Sequence, residues 1–270
     1  MSIGAGIFGA ILGLGGGVLI VPILTLFYGV NIRYAVGASI VSVIATSSGA
    51  AATYVKDHIT NIRVAMLLEV ATTLGALAGA MLSPFLPTQA LFFVFSLILI
   101  YSAVAMFRKK SGDHVVTETD DWFANKLSLN SSYPDHLLGR EVSYAVTHVP
   151  FGFSLMLGAG VISGLLGIGS GALKVPAMDT AMRLPIKVSS ATSNFMIGVT
   201  AAASAGAYYM RGDIIPFLAA PIAIGVLLGS WLGTKLMMRL HSTMIRKMFL
   251  IVLLVIAVEM GLKGLGVNIR

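Results

Sequence analysis

The sequence predicts an all-α polytopic membrane protein made of two homologous, inverted repeats, each a glycine-rich broken or re-entrant helical hairpin followed by three transmembrane helices. Three observations predict it. Hydrophobic residues are 57% of the chain and charged residues 11%, against about 45–50% and about 25% in soluble domains. Mean hydropathy is +0.91, and so few charges cannot cover a water-facing surface. The apolar residues gather in eight stretches, and an unusual glycine block near the start recurs in the second half.

Taken in order, stretches 3–30, 35–55, 64–86 and 89–107 form an N-terminal transmembrane repeat, residues 1–107. A polar connector, expected in the cytoplasm, occupies 108–147. Stretches 149–182, 188–210, 214–238 and 244–267 form the C-terminal repeat, 148–270. Each is long enough for the roughly 20 apolar residues that a membrane helix needs. The first lacks a basic leader and runs straight into the glycine block, so it is expected to belong to the fold and not to a cleaved signal.

The duplication is visible without gaps. Gly13-Leu14-Gly15-Gly16-Gly17-Val18-Leu19-Ile20-Val21-Pro22 aligns with Gly167-Ile168-Gly169-Ser170-Gly171-Ala172-Leu173-Lys174-Val175-Pro176, a shift of 167 − 13 = 154. The same shift pairs Ser39 with Ser193, Thr46 with Thr200, Tyr54 with Tyr208, Gly75 with Gly229 and Gly79 with Gly233. Register held over that distance indicates an internal repeat.

Inside each block, successive glycines weaken a helix by about 1 kcal/mol apiece relative to alanine. In the first copy the flanking segments are too short for either to span alone. The stretch therefore crosses as one broken helix or folds back. The cations choose between these. If all eight stretches cross, Lys and Arg divide ten against eight; if both glycine-rich stretches are re-entrant, thirteen fall on one side and only Arg33, Arg211, Lys263 and Arg270 on the other, with Lys174 inside the hairpin. The positive-inside rule favours the second count, with both termini outside. Glycines can also serve close helix packing alone. At a break, however, the freed amides need a partner, and a half-helix N-terminus presents unpaired N–H donors and partial positive charge to an anion. Broken helices of two inverted repeats meeting near mid-membrane are a recurring transporter arrangement.

Other chemistries are excluded by composition. Cysteine is absent, so thiolate nucleophiles and disulfides are too. The five histidines show no metal-ligand spacing, and no catalytic residue, metal or cofactor is expected. The net charge of +7 sits mostly at segment ends, which topology demands, and no basic aromatic face points to nucleic acid. The connector reads as a solvated linker with a small β-hairpin, where Glu141 to Val146 alternate like a strand, or as a regulatory insert. Tyr54, Tyr208 and Trp231 fit interface belts or packing.

The doubled block resembles the sulfite exporter TauE/SafE family of membrane permeases. It is carried by residues 13–22 with Ala35-Val36-Gly37-Ala38-Ser39, and by residues 167–171, Val175-Pro176 and Ser190-Ala191-Thr192-Ser193. The likeness spans nearly the whole chain except the connector. It implies a prokaryotic inner-membrane permease that exports sulfite, sulfonates or related organosulfur anions. Two positions depart from the pattern: Ser170 replaces the middle glycine of the second triplet, and Lys174 stands where an aliphatic residue is usual.

The candidate substrate residues are Gly15, Gly16, Gly17, Ser39, Gly169, Ser170, Gly171, Lys174, Thr192, Ser193 and Asn194. Hydroxyls and an amide replace part of an oxyanion's hydration, or else cap and tie helices. Lys174 follows the second block closely and is either a counter-charge for the anion or half of a structural pair with Glu69 or Asp179. Glu69, inside an apolar stretch, is a candidate for proton coupling. The expected partners are a small anion and the lipid bilayer. An anion-selective channel and a non-transporting membrane subunit remain as alternatives to a carrier, and the oligomeric state is open.

Overall fold

The computed structural model describes residues 1–108, 121–135, 138–166 and 171–265. Helix α1 (Ser2–Leu12) ends where Gly13 takes a left-handed φ of 71°, a conformation that costs glycine nothing and other residues about 1 kcal/mol or more. Gly9 O accepts from the N–H groups of Gly13, Leu14 and Gly15, which closes the helix end. The chain resumes as α2 (Gly17–Pro22) and widens into a π-turn, Ile23–Phe27. Pro22 supplies no N–H, and Thr25 Oγ1 donates to Val21 O at 2.9 Å.

Three long helices follow, α3 (Ile32–Lys56), α4 (Ile62–Leu82) and α5 (Thr88–Arg108). Asn31 caps α3 by accepting from Arg33 N, and Asn61 caps α4 by accepting from Val64 N. After a short helix α6 (Trp122–Lys126) and a hairpin of β1 (Ser131–Asp135) and β2 (Arg140–Tyr144), the pattern returns. It comprises α7 (Val149–Leu166), α8 (Gly171–Pro176) with the π-turn Ala177–Ala181, α9 (Ile186–Met210), α10 (Pro216–Met238) and α11 (Ser242–Gly264). The bounds of α2, its π-turn and α3 recur in α8, its π-turn and α9 at a shift of 154, residue for residue. Segments Ile32–Lys56, Ile62–Phe85 and Pro216–Met238 are long and apolar enough to cross a membrane. Their outer faces carry bare apolar side chains such as Met66, Met81, Phe217 and Ile224, as lipid contact requires.

The helix pairs follow the repeat. Helix α1 packs on α10 and α7 on α4; α3 pairs with α9 and α5 with α11; α3 also meets α10, and α4 meets α9. Exchanging the two halves leaves this set of pairs unchanged. Small residues set the separations. A methyl on Gly75 or Gly79 would strike the Leu157 or Val161 carbonyl, and one on Gly160 or Gly164 would strike the Thr72 or Ala76 carbonyl. Gly229 and Gly233 face Ile3 and Ile7 of α1 in the same way. In lipid, close backbone contact is a main source of helix association.

Contacts join residues on either side of each glycine-rich segment. Tyr28 OH lies 3.9 Å from Met1 Sδ, and Thr147 N donates to Met182 O at 3.2 Å. Residues 32–36, 83–84 and 208–213 gather at one end of the molecule, where they line a common pocket. The connector meets residues 57–64 and 182–188 at the other end.

The described residues of the connector, 121–135 and 138–147, are docked on the helix ends, which differs from a solvated linker. Ala124, Leu129, Tyr133, Tyr144 and Val146 share a core with Val64, Leu68, Val149, Met182 and Val188. Asn61 Nδ2 donates to Leu129 O and Tyr144 OH, Arg63 Nη1 to Ser128 O, and Lys187 Nζ to Asp135 at 3.1 Å. The alternation of Glu141 to Val146 forms β2, and its inward residues find apolar helix ends to cover. Burial pushes the Tyr133 and Tyr144 phenols above their ordinary range, and the Asp135 carboxylate beside Tyr133 adds to its shift.

Candidate functional site at the two chain breaks

The first break meets the start of α8 inside the bundle. Gly171, the first residue of α8, abuts Gly13 O and the Leu14 backbone. A side chain on Gly13 would meet Ser190 and Val175. Ser193 Oγ donates to Gly13 O at 2.6 Å, and Asn194 Nδ2 donates to Ala10 O at 2.7 Å and Ser190 O at 3.1 Å. Asn194 O in turn accepts from Ser47 Oγ at 2.5 Å. Helix α9 of one half thus holds the exposed carbonyls at the end of α1 from the other half.

Gly15, Gly16 and Gly17 are buried. Gly15 sits against Ile197 and Val43, and Gly16 against Thr46, Val226 and Ala5 O. Leu19 and Ile20 are the first residues of α2 to donate back, both to Gly16 O. The N–H groups of Gly17 and Val18 precede them and, as in any first helical turn, have no intrahelical acceptor. In this conformation the first break is packed and not open to water. Ser39 is buried, and its carbonyl accepts from Ser42 Oγ. Thr192 points away from this cluster: its hydroxyl accepts from Asn61 N at 3.1 Å, next to the docked connector. Asn194 Oδ1 and the Ser190 hydroxyl are buried with no hydrogen-bond partner among the described residues. Gly169 and Ser170 lie outside the described residues.

Lys174 and Glu69 form a second cluster. Lys174 is fully buried, and its Nζ lies 3.4 Å from Glu69 Oε2 and 2.6 Å from Thr200 Oγ1. The Thr200 hydroxyl accepts from Lys174 and donates to Glu69 Oε1 at 2.7 Å, while Thr73 donates to the same oxygen at 2.9 Å. The lysine ammonium is therefore engaged by a carboxylate, and the cluster carries no net charge. Asp179 takes a different cation, accepting from Arg246 Nη2 at 3.1 Å on both oxygens.

Sequence reasoning missed two residues that order the breaks. Tyr54 and Tyr208 are buried, and their hydroxyls donate to Ala10 O at 3.0 Å and Gly164 O at 2.7 Å, carbonyls in the last turns of α1 and α7. A signal was available, since both tyrosines are conserved across the repeat shift of 154, as are Thr46 and Thr200. Ala10 O keeps Asn194 as a second donor, whereas Gly164 O has only Tyr208 as a side-chain donor among the described residues. Tyr208→Phe is therefore expected to destabilise the protein by about 1–3 kcal/mol, the cost of stranding a buried acceptor, and Tyr54→Phe by less. Thermal unfolding of both variants in detergent checks the order.

Comparison with known proteins agrees with a transport role. The family described as "Sulfite exporter TauE/SafE" matches residues 1–260. The Bacillus subtilis protein called "Probable membrane transporter protein YunE" is 25% identical over 97% of this chain and 95% of its own length. A second Bacillus subtilis protein, "Probable membrane transporter protein YdhB", is 23% identical over 85% of each chain. A Xylella fastidiosa "Probable membrane transporter protein" is 26% identical over 92% of this chain and 87% of its own. No solved structure matches significantly. The match over nearly its full length places this multi-pass chain in the sulfite exporter TauE/SafE family of membrane transporters.

Proposed function

We propose that the protein is a secondary carrier that exports a small organosulfur oxyanion, such as sulfite or a sulfonate, across the inner membrane of a prokaryotic cell. The two halves act as inverted repeats, with the broken segments as re-entrant hairpins and the connector in the cytoplasm. The observation that carries this reading is the contact of the start of α8 with the first break, where Gly171 abuts Gly13 and Leu14. Chain ends stripped of side chains leave amide dipoles at the centre of the bundle, where an anion can replace its hydration with N–H groups and with the hydroxyls and amide of Ser39, Ser193 and Asn194. The packed breaks fit an occluded stage of a cycle in which the halves rock apart to open first one side and then the other.

The direction has a simple energetic basis. Moving one negative charge outward across a membrane that is negative inside runs down the potential and releases about 2.3 kcal/mol per 100 mV, so export needs no ATP. Purified protein in liposomes tests the proposal. Efflux of at least one of sulfite, thiosulfate or an alkanesulfonate is expected to saturate and to be stimulated by the same anion on the far side, with carboxylates slower. Flux that fails to saturate would point to a channel, and absence of flux for every anion would point to a non-transporting subunit.

A further inference from the structure

We propose that Arg33 and Arg211 form a binding site for a small oxyanion at the end of the protein opposite the connector, where an anion leaving the second break meets its first external counter-charge. The inference rests on the export reading only for the side of the membrane on which it places this site.

The observations are geometric. A pocket of about 100 Å³ is lined by Arg33, Ser83, Leu165, Tyr208, Arg211 and Asp213, among others. A water occupies about 30 Å³ of liquid, so the space suits an oxyanion of a few heavy atoms. The two cations come from opposite halves of the chain, at the start of α3 and just past the end of α9. Arg211 is held on three sides: Nε on Asp213 at 3.0 Å, Nη1 on Ala80 O at 2.8 Å, and its guanidinium 4.3 Å above the Tyr208 ring. These contacts fix the guanidinium beside the pocket, and a five-donor fork has capacity beyond them for an oxyanion. The Arg33 guanidinium has no partner among the described residues. Asp213 offsets one of the two charges, so the pocket keeps a net positive charge. The loop that carries Asp213 is seated directly against Gly37 of α3, where any side chain would collide with the Asp213 carbonyl.

Position and charge distribution both add to this. Leu165 and Tyr208 line the pocket, and Tyr208 OH donates to Gly164 O and Leu165 O in the last turn of α7. Cations are scarce on the side that topology leaves outside, with Arg33, Arg211, Lys263 and Arg270 the four there, yet two of them line one small pocket. At the repeat-equivalent place on the other end, position 33 + 154 is Lys187, which is buried against Asp135 of the connector. Of two equivalent cations, one is closed by a carboxylate and the other faces a pocket.

Phenylglyoxal modification of the detergent-purified protein, with sites mapped by mass spectrometry, tests this without requiring transport. Methanesulfonate is expected to slow modification of Arg33 and Arg211 at least about threefold relative to sodium chloride of equal ionic strength, and to leave exposed Arg239 unaffected. Adding an anionic lipid in place of methanesulfonate shows whether a headgroup phosphate competes for the same donors. Arg33→Gln removes a side chain that supports nothing else in the fold, and it is expected to abolish the protection of Arg211. Equal modification rates with both salts, or protection of Arg211 that survives Arg33→Gln, would overturn the site. Protection in a protein that moves no anion in liposomes would leave the site standing and remove the export reading.

Discussion

Lys174→Ala is expected to lower the unfolding stability of the protein by about 3–5 kcal/mol, the usual cost of removing one partner of a buried ion pair. A lysine that served only as an anion's counter-charge would tolerate alanine with weakened transport and an intact fold. The structure gives a different expectation, because Lys174 is fully buried and its ammonium reaches Glu69 Oε2 and Thr200 Oγ1. Alanine leaves the Glu69 carboxylate with only hydroxyl donors in a site closed to water. The pair itself is worth far less than its breakage costs, since burying two charges consumes most of their attraction. Lys174→Met combined with Glu69→Gln is therefore expected to recover most of the lost stability, measured by thermal unfolding in detergent. If the double variant is no better than Lys174→Ala, pairing with Glu69 is not what holds the lysine.

The second large effect is expected at the contact between α4 and α7. Gly79→Ile must push α7 away, because the first side-chain carbon would overlap the Val161 carbonyl oxygen. Backbone cannot rotate aside as a side chain can, so the cost should reach or exceed the upper part of the roughly 1–3 kcal/mol range for overpacking. The neighbouring contacts at Gly75, Gly160 and Gly164 would be lost with it, and lipid offers no hydrophobic force to bring the helices back together. Gly158→Ile is the control on the same helix as Gly160, since nothing lies within 4 Å of a side chain there. Its expected change is within about 0.5 kcal/mol. The yield of monodisperse protein and its unfolding temperature distinguish the two variants.

Local features of this fold were legible from the residues. The glycine block locates the break between α1 and α2, and apolar stretches 35–55 and 188–210 predict α3 and α9, which the structure places at Ile32–Lys56 and Ile186–Met210. Long-range partnerships were not. Glu69 and Lys174 are 105 positions apart, and Asp179 was equally available by charge; only the packing of α4 against α9 beside α8 selects Glu69. Tyr54 and Tyr208 look like interface aromatics because the carbonyls they satisfy exist only after the chain has broken. The connector looks solvated by composition, yet Tyr133, Tyr144 and Leu129 find the apolar ends of α4, α7 and α9 waiting to be covered. In each case the missing information is a surface that forms only when distant segments meet.

The proposed mechanism depends on the two broken segments entering the membrane from opposite faces. Single cysteines at Tyr28 and Arg183, both exposed loop residues directly after the returning π-turns, test this in a chain with no other cysteine. An impermeant maleimide applied to intact cells is expected to label Tyr28→Cys and to reach Arg183→Cys only after the membrane is opened. Labelling of both from the same side would contradict the inverted arrangement and, with it, the meeting of opposed half-helices on which anion transport is argued.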